Sequence, residues 1–134
     1  MVDFVSDGLV TVISRHSVGD LIDHLVDIVK SKGLTVFACI DHAANAITDG
    51  IKLRPTELLI FGSSAANAAL MEDQQEIGLD LPMKALAWED RNGEVWMTYD
   101  DGGWLANRHG LGPTHEPAVR VIQAMMATIV RAAT

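Results

Sequence analysis

With a single cysteine, Cys39, no disulfide can form within the chain, and a lone thiol fits a reducing cytoplasm. Basic residues are also scarce. Ten lysines and arginines stand against 18 aspartates and glutamates, a formal net charge of −8. No basic cluster interrupts that acidic surface, which repels phosphate backbones and anionic headgroups, so neither nucleic acid nor a membrane surface is expected as a partner. No apolar run approaches the roughly 20 residues that a membrane-spanning helix needs. Met1-Val2-Asp3-Phe4 has neither a basic nor an apolar leader pattern, so no secretory signal is expected. A nucleotide-binding glycine loop, a nucleophile elbow and a paired-carboxylate motif are missing too, and no cofactor is expected. A metal site would need His42, His109, His115 or Asp41 to meet in space. Without local ligand spacing such as His-x-x-x-His, none is expected.

What the chain has in quantity is apolar side chain. Hydrophobic residues make up 49% of the sequence, and the mean hydropathy is +0.18. Residues 1–134 suit one domain, with no repeat, linker or low-complexity tract to divide it. One small sheet under a single helical layer cannot shelter that much apolar surface. A second burial surface is expected, supplied by a homodimer interface.

The pattern along the chain gives the order of elements. Residues 8–15 read as a first strand. Ser17 then caps a helix whose apolar stripe includes Leu21, Ile22, Leu25 and Val29 and which closes at Gly33. A second strand, Leu34 to Ile40, runs into Asp41-His42, where Asp41 can cap a short helical turn. A third strand fills the stretch between Pro55 and Gly62. Its Leu58-Leu59-Ile60-Phe61 is apolar on both faces, as expected of a strand inside a covered sheet. After Ser63-Ser64 an alanine-rich helix is expected to end near Gly78. Pro82 opens a fourth strand, joined to a fifth by Asn92-Gly93, a hairpin signal that forces the last pair antiparallel. Asp101 caps a short helix, and Thr114 is expected to cap a final helix with Pro117 in its first turn. The expected fold is α+β: an antiparallel sheet of about five strands, two long helices on one face and short helices in the connections.

Several segments together are similar to one family. They are Asp41-His42-Ala43-Ala44-x-Ala46, Arg54 to Gly62, Leu79-Asp80-Leu81-Pro82-Met83-Lys84, Trp88-Glu89-Asp90, Val95-Trp96-x-x-Tyr99 and Trp104-Leu105-Ala106-x-Arg108-His109-Gly110. Nearly the whole chain resembles the prokaryotic family known as domain of unknown function 302. That resemblance implies an arrangement like that of the TATA-binding protein and a dimeric assembly. It implies no established activity. After Ile60-Phe61-Gly62 the family usually continues Asn-Pro-Lys and a second glycine, whereas this chain has Ser63-Ser64-Ala65-Ala66-Asn67. Any anion held through that lysine elsewhere in the family would lose its partner here.

Three sets of residues carry candidate chemistry. Asp41 beside His42 could tune a general base near neutral pH, against the plainer reading that Asp41 caps a turn and His42 bonds to backbone. Arg108 and His109 close a helix, where the helix dipole alone favours a cation; together with Tyr99 they could instead bind an anion near His42. Trp88, Trp96, Trp104 and Tyr99 could line an apolar cleft or serve as packing. Cys39 reads as an inert small hydrophobe, and His16 and His24 as solvated. The leading expectation is a cytoplasmic homodimer that binds a small, partly apolar molecule in a pocket near Asp41, His42, Phe61, Trp88, Tyr99, Arg108 and His109. One alternative is an enzyme using His42 as acid or base, assisted by Asp41 or Arg108. Another is a structural or partner-binding dimer without a ligand.

Overall fold

The structure is a computed structural model that describes residues 3–134, with side chains from residue 7 onward. A hairpin of β1 (Asp3–Ser6) and β2 (Leu9–Ser14) opens the fold. Its two-residue turn has φ of 53° at Asp7 and 80° at Gly8, the left-handed pair that tight hairpins need. Gly8 is also fixed by space, because a Cβ there would fall 2.5 Å from the ring of Trp104. Next come α1 (Val18–Ser31), β3 (Thr35–Asp41), α2 (His42–Ile47), β4 (Thr56–Gly62) and α3 (Ser64–Asp73). A 3-10 turn at Gln75–Leu79 leads to the β5 (Met83–Glu89) and β6 (Val95–Asp100) hairpin. The chain closes with α4 (Gly102–Arg108), a second 3-10 turn at Pro113–His115 and α5 (Glu116–Ala133).

All neighbouring strands pair antiparallel, in the order β1-β2-β6-β5-β4-β3. The α+β architecture follows the sequence expectation, with a sixth strand that the expectation lacked. The register carries one row of side chains from Val10 through Tyr99 and Ala85 to Leu59, and a second from Val12 through Met97 to Ala87. Both rows face the helices. Leu21, Leu25 and Val29 of α1, and Ile129 and Val130 of α5, lose all exposure above them. Burying each such side chain contributes about 1.5–3 kcal/mol. Alanines at 85 and 87 leave room for the helices to sit close on the sheet.

Local chemistry starts most helices where the sequence says it should. Ser17, Asp41, Ser63 and Asp101 each accept a hydrogen bond from the backbone three residues on. Two boundaries differ from expectation. α3 stops at Asp73, and the stretch toward Gly78 tightens into a 3-10 turn that buries Ile77. α5 has no side-chain cap, because Thr114 lies inside the second 3-10 turn and His115 takes the cap position.

Candidate functional site

Arg108 ends α4 and His109 follows it, while Asp80 follows the 3-10 turn at Gln75–Leu79. Folding brings the three together. Arg108 Nη1 donates to both Asp80 oxygens, at 3.2 and 3.1 Å, and His109 Nε2 lies 2.5 Å from Asp80 Oδ2. Lys84 Nζ secures the Asp80 loop from below by donating to the carbonyls of Asp80 and Pro82. The Arg108 guanidinium carbon stands 5.8 Å from the centroid of the Trp104 ring. The His109 side chain is 9% exposed, Asp80 16% and Arg108 48%. An ionised carboxylate only accepts, so Nε2 carries the proton toward Asp80. Nδ1 is left without a protein partner among the described residues. No fully buried side-chain nitrogen or oxygen among the described residues lacks a partner, so Nδ1 is not sealed from solvent. These side chains border a cleft of about 460 Å³ lined by Gln75, Glu76, Leu79, Arg108 and His109. The arrangement can offer a ligand an oriented imidazole nitrogen and the free N–H groups of a guanidinium.

Asp41 and His42 lie elsewhere. Asp41 Oδ1 accepts from the Ala44 amide at 2.9 Å and so caps α2, whose first residue is the exposed His42. Asp41 pairs with Glu57 at the start of β4, whereas Phe61, near the end of β4, pairs with Met83, next to the Asp80 loop. A seven-residue strand is roughly 20 Å long. His42 and Arg108 therefore sit at opposite ends of the sheet and do not meet. The remaining candidates divide again. Phe61 (0% exposed) and Tyr99 (8%) are part of the helix-covered core. Trp88 lies on the opposite face, stacked on Trp96 with ring centroids 6.4 Å apart. Of the seven candidates, only Arg108 and His109 share a site. Asp80, their common partner, was missed although its segment belongs to the quoted motifs. Only proximity in the fold assigns it a role.

Near Asp41, the Cys39 thiol lies 3.8 Å from Glu57 Oε2. Burial, then the negative charge of Glu57, pushes the Cys39 pKa up, which favours the protonated thiol over the thiolate. Burial also raises Glu57, with the charge of Asp41 adding to it.

The face of the sheet turned away from the helices has no cover among the described residues. It displays Ile13, Leu58, Ile60, Leu86, Trp88 and Trp96, each only partly exposed. Its polar groups bond to one another. Trp88 Nε1 donates to Thr98 Oγ1 at 2.9 Å, and the Thr98 and Thr11 hydroxyls are 3.1 Å apart. Trp96 Nε1 donates to Asp90 Oδ2 at 2.9 Å, the main reason the Asp90 pKa is lowered.

The family model described as "Domain of unknown function DUF302" matches residues 10–130. The fold is similar to the "Crystal structure of uncharacterized conserved protein DUF302 from Bacillus stearothermophilus". That match has a TM-score of 0.84 at 16% identity, and covers 96% of this chain and 100% of the other. Among curated proteins, the chain is 45% identical over 131 residues to "Fluoride-specific ion channel FluC 1" of Brucella suis biovar 1 (strain 1330), covering 98% of this chain and 52% of that protein. A protein of the same name from Brucella abortus biovar 1 (strain 9-941) matches at 45%, with 48% of its length covered. The chain thus spans about half the length of the curated relatives it matches. No helix among the described residues is long and apolar enough to cross a membrane.

Proposed function

The chain belongs to the DUF302 family, and from that premise we propose that it is a cytoplasmic homodimer that binds a small, partly apolar molecule in the cleft beside Asp80, Arg108 and His109. The observation that carries the ligand reading is the His109 imidazole, oriented through Nε2 by Asp80 and left open at Nδ1. A purely structural pair has no need of a cleft of about 460 Å³ lined by His109 and Arg108. Trp104, 40% exposed, and Leu79, 77% exposed, supply apolar surface on the same side of the fold as Arg108. Thermal-shift screening of the full chain across metabolite classes tests this. A stabilising compound should lose its effect in His109→Ala and Asp80→Asn, and the absence of any stabiliser at saturating concentrations would refute the reading.

The dimer reading rests on the uncovered sheet face. Six strands at about 4.8 Å spacing and roughly 20 Å length give a footprint near 29 by 20 Å. With side-chain relief, that approaches the roughly 800 Å² per partner of a standard stable interface. Its indole and threonine groups are already satisfied within the chain, so covering them strands no donor.

A second reading comes from the relatives named as fluoride-specific ion channels. This chain matches about half of each and has no helix able to span a bilayer among its described residues. On this reading the domain is an accessory to a channel, and the membrane-crossing part belongs to the other half of those relatives. Fluoride flux through a relative in liposomes, with and without the matched half, tests it. Flux that requires the matched half to form the pore itself would end this reading.

A further inference from the structure

We infer that the cleft where β2 and α5 end is a binding site for a small organic oxyanion, a carboxylate or phosphate carried on an apolar body. It measures about 360 Å³ and is lined by Ile13, Arg15, His16, Arg131, Ala132 and Thr134. In a chain of net charge −8, this described lining contains two guanidinium groups and an imidazole but no aspartate or glutamate. Several cations elsewhere are already engaged: Arg108 with Asp80, Arg120 with Glu116, Arg54 with the Glu89 carbonyl and Lys84 with two carbonyls. Arg131 sits in the last turn of α5, where the helix dipole favours a cation. Arg15 has no such reason to be there. Its side chain forms no hydrogen bond or ion pair with the described residues.

The site is held in place rather than draped on the surface. Ser14 and Thr134 are 8% and 7% exposed and latch the end of β2 to the end of α5. Ser14 Oγ donates to the Thr134 carbonyl at 3.2 Å, the Arg15 amide reaches the same oxygen at 3.4 Å, and the His16 amide donates to Ser14 Oγ at 3.1 Å. The His16 ring also packs edge-on against His24, with centroids 4.5 Å apart. The latch therefore holds the backbone that carries Arg15 beside the end of α5, and Arg131 lines the same cleft. Guanidinium forks match carboxylate and phosphate oxygens, and Ile13 with Ala132 gives an apolar wall for the rest of the ligand. This site is separate from the His109 cleft and does not depend on it.

The test is titration of the full chain with phenyl phosphate, benzoate, inorganic phosphate and chloride at matched ionic strength, followed by backbone-amide NMR. Saturable shifts centred on Arg15 and His16 are expected for the oxyanions and not for chloride, and the first two probes identify the preferred headgroup. Arg15→Gln should weaken binding about tenfold or more, as loss of a charge-assisted hydrogen bond does. Arg91→Gln removes the same charge at the β5–β6 turn and should leave binding intact. If Arg131→Gln folds poorly, Arg15→Gln decides alone, with its spectrum confirming the fold. Shifts that chloride reproduces, or saturable binding unchanged by Arg15→Gln, would overturn the site.

Discussion

On the helix-covered face of the sheet, Ala85, Ala87, Met97 and Leu59 have no exposure, while on the open face their neighbours Leu86, Trp88, Trp96 and Ile60 remain partly exposed. Composition hardly separates the two sets, since both are mostly apolar. What separates them is hydrogen bonding. The covered residues named here, two alanines, a methionine and a leucine, have no side-chain N–H to satisfy. Two indoles stand on the open side, with each N–H already satisfied within the chain. A face left to water has no need to spend its donors inward, because water would satisfy them. In the homodimer proposed above, donors already satisfied within the chain would let this face be covered without stranding them.

The largest expected effect breaks the covered side. Leu25→Ala removes a fully buried side chain from α1 and should cost about 2–5 kcal/mol in urea denaturation. Leu86→Ala on the open face should cost less than Leu25→Ala in the monomer, since its side chain there keeps part of its surface in solvent. Equal losses at the two positions would mean that the faces do not differ as described.

The next effect is on association. Trp88→Glu places a charge in the stacked indole pair of the open face and should weaken the dimer by about 30-fold or more, as loss of an interface aromatic anchor does. Sedimentation would then show a 14.5 kDa particle for the variant at concentrations where the parent runs at twice that mass. A parent that sediments as a monomer at all concentrations would leave the open face without its proposed partner.

Much of this contrast was legible in the residues. Alternation in β6 alone placed Val95, Met97 and Tyr99 on one face and Trp96 and Thr98 on the other, and the four helix caps were readable as local chemistry. Asp7-Gly8 is also a hairpin signal, yet β1 is so short that it carries no periodicity of its own. The site was harder to read. Arg108 and His109 are neighbours in sequence, but Asp80 meets them across 28 and 29 residues. Asp41 and His42, adjacent and chemically suggestive, end up a sheet's length away, because antiparallel pairing sends the end of β3 to the start of β4. Local spacing can report a cap; it cannot report which two loops share an end of the sheet.

Asp80→Asn sharpens the comparison at the site. It keeps the shape but weakens the acceptor shared by Arg108 and His109, at a cost of about 1.5–3 kcal/mol, as for hydrogen bonds to charged groups. Solvent around the half-exposed Arg108 places the expected loss at the lower end. A ligand-induced thermal shift should vanish in the same variant. A retained shift would move the ligand site away from His109.

The smallest effect tests the opposite end of the sheet. The Glu57 carboxyl is raised above its usual range by burial first and by Asp41 second, so the folded chain holds its proton at a pH where the unfolded chain has released it. Stability contributed by that proton is lost as pH rises through this window, and the ionised group is a small liability at neutral pH. Glu57→Gln should therefore stabilise the protein at pH 7, by less than about 0.5 kcal/mol after solvent screening. The gain should disappear below the ordinary glutamate range, where both parent and variant are neutral. Paired urea curves at the two pH values measure it. A gain that persists in acid would show that shape rather than charge governs the position, and Asp41 would then be no more than the cap of α2.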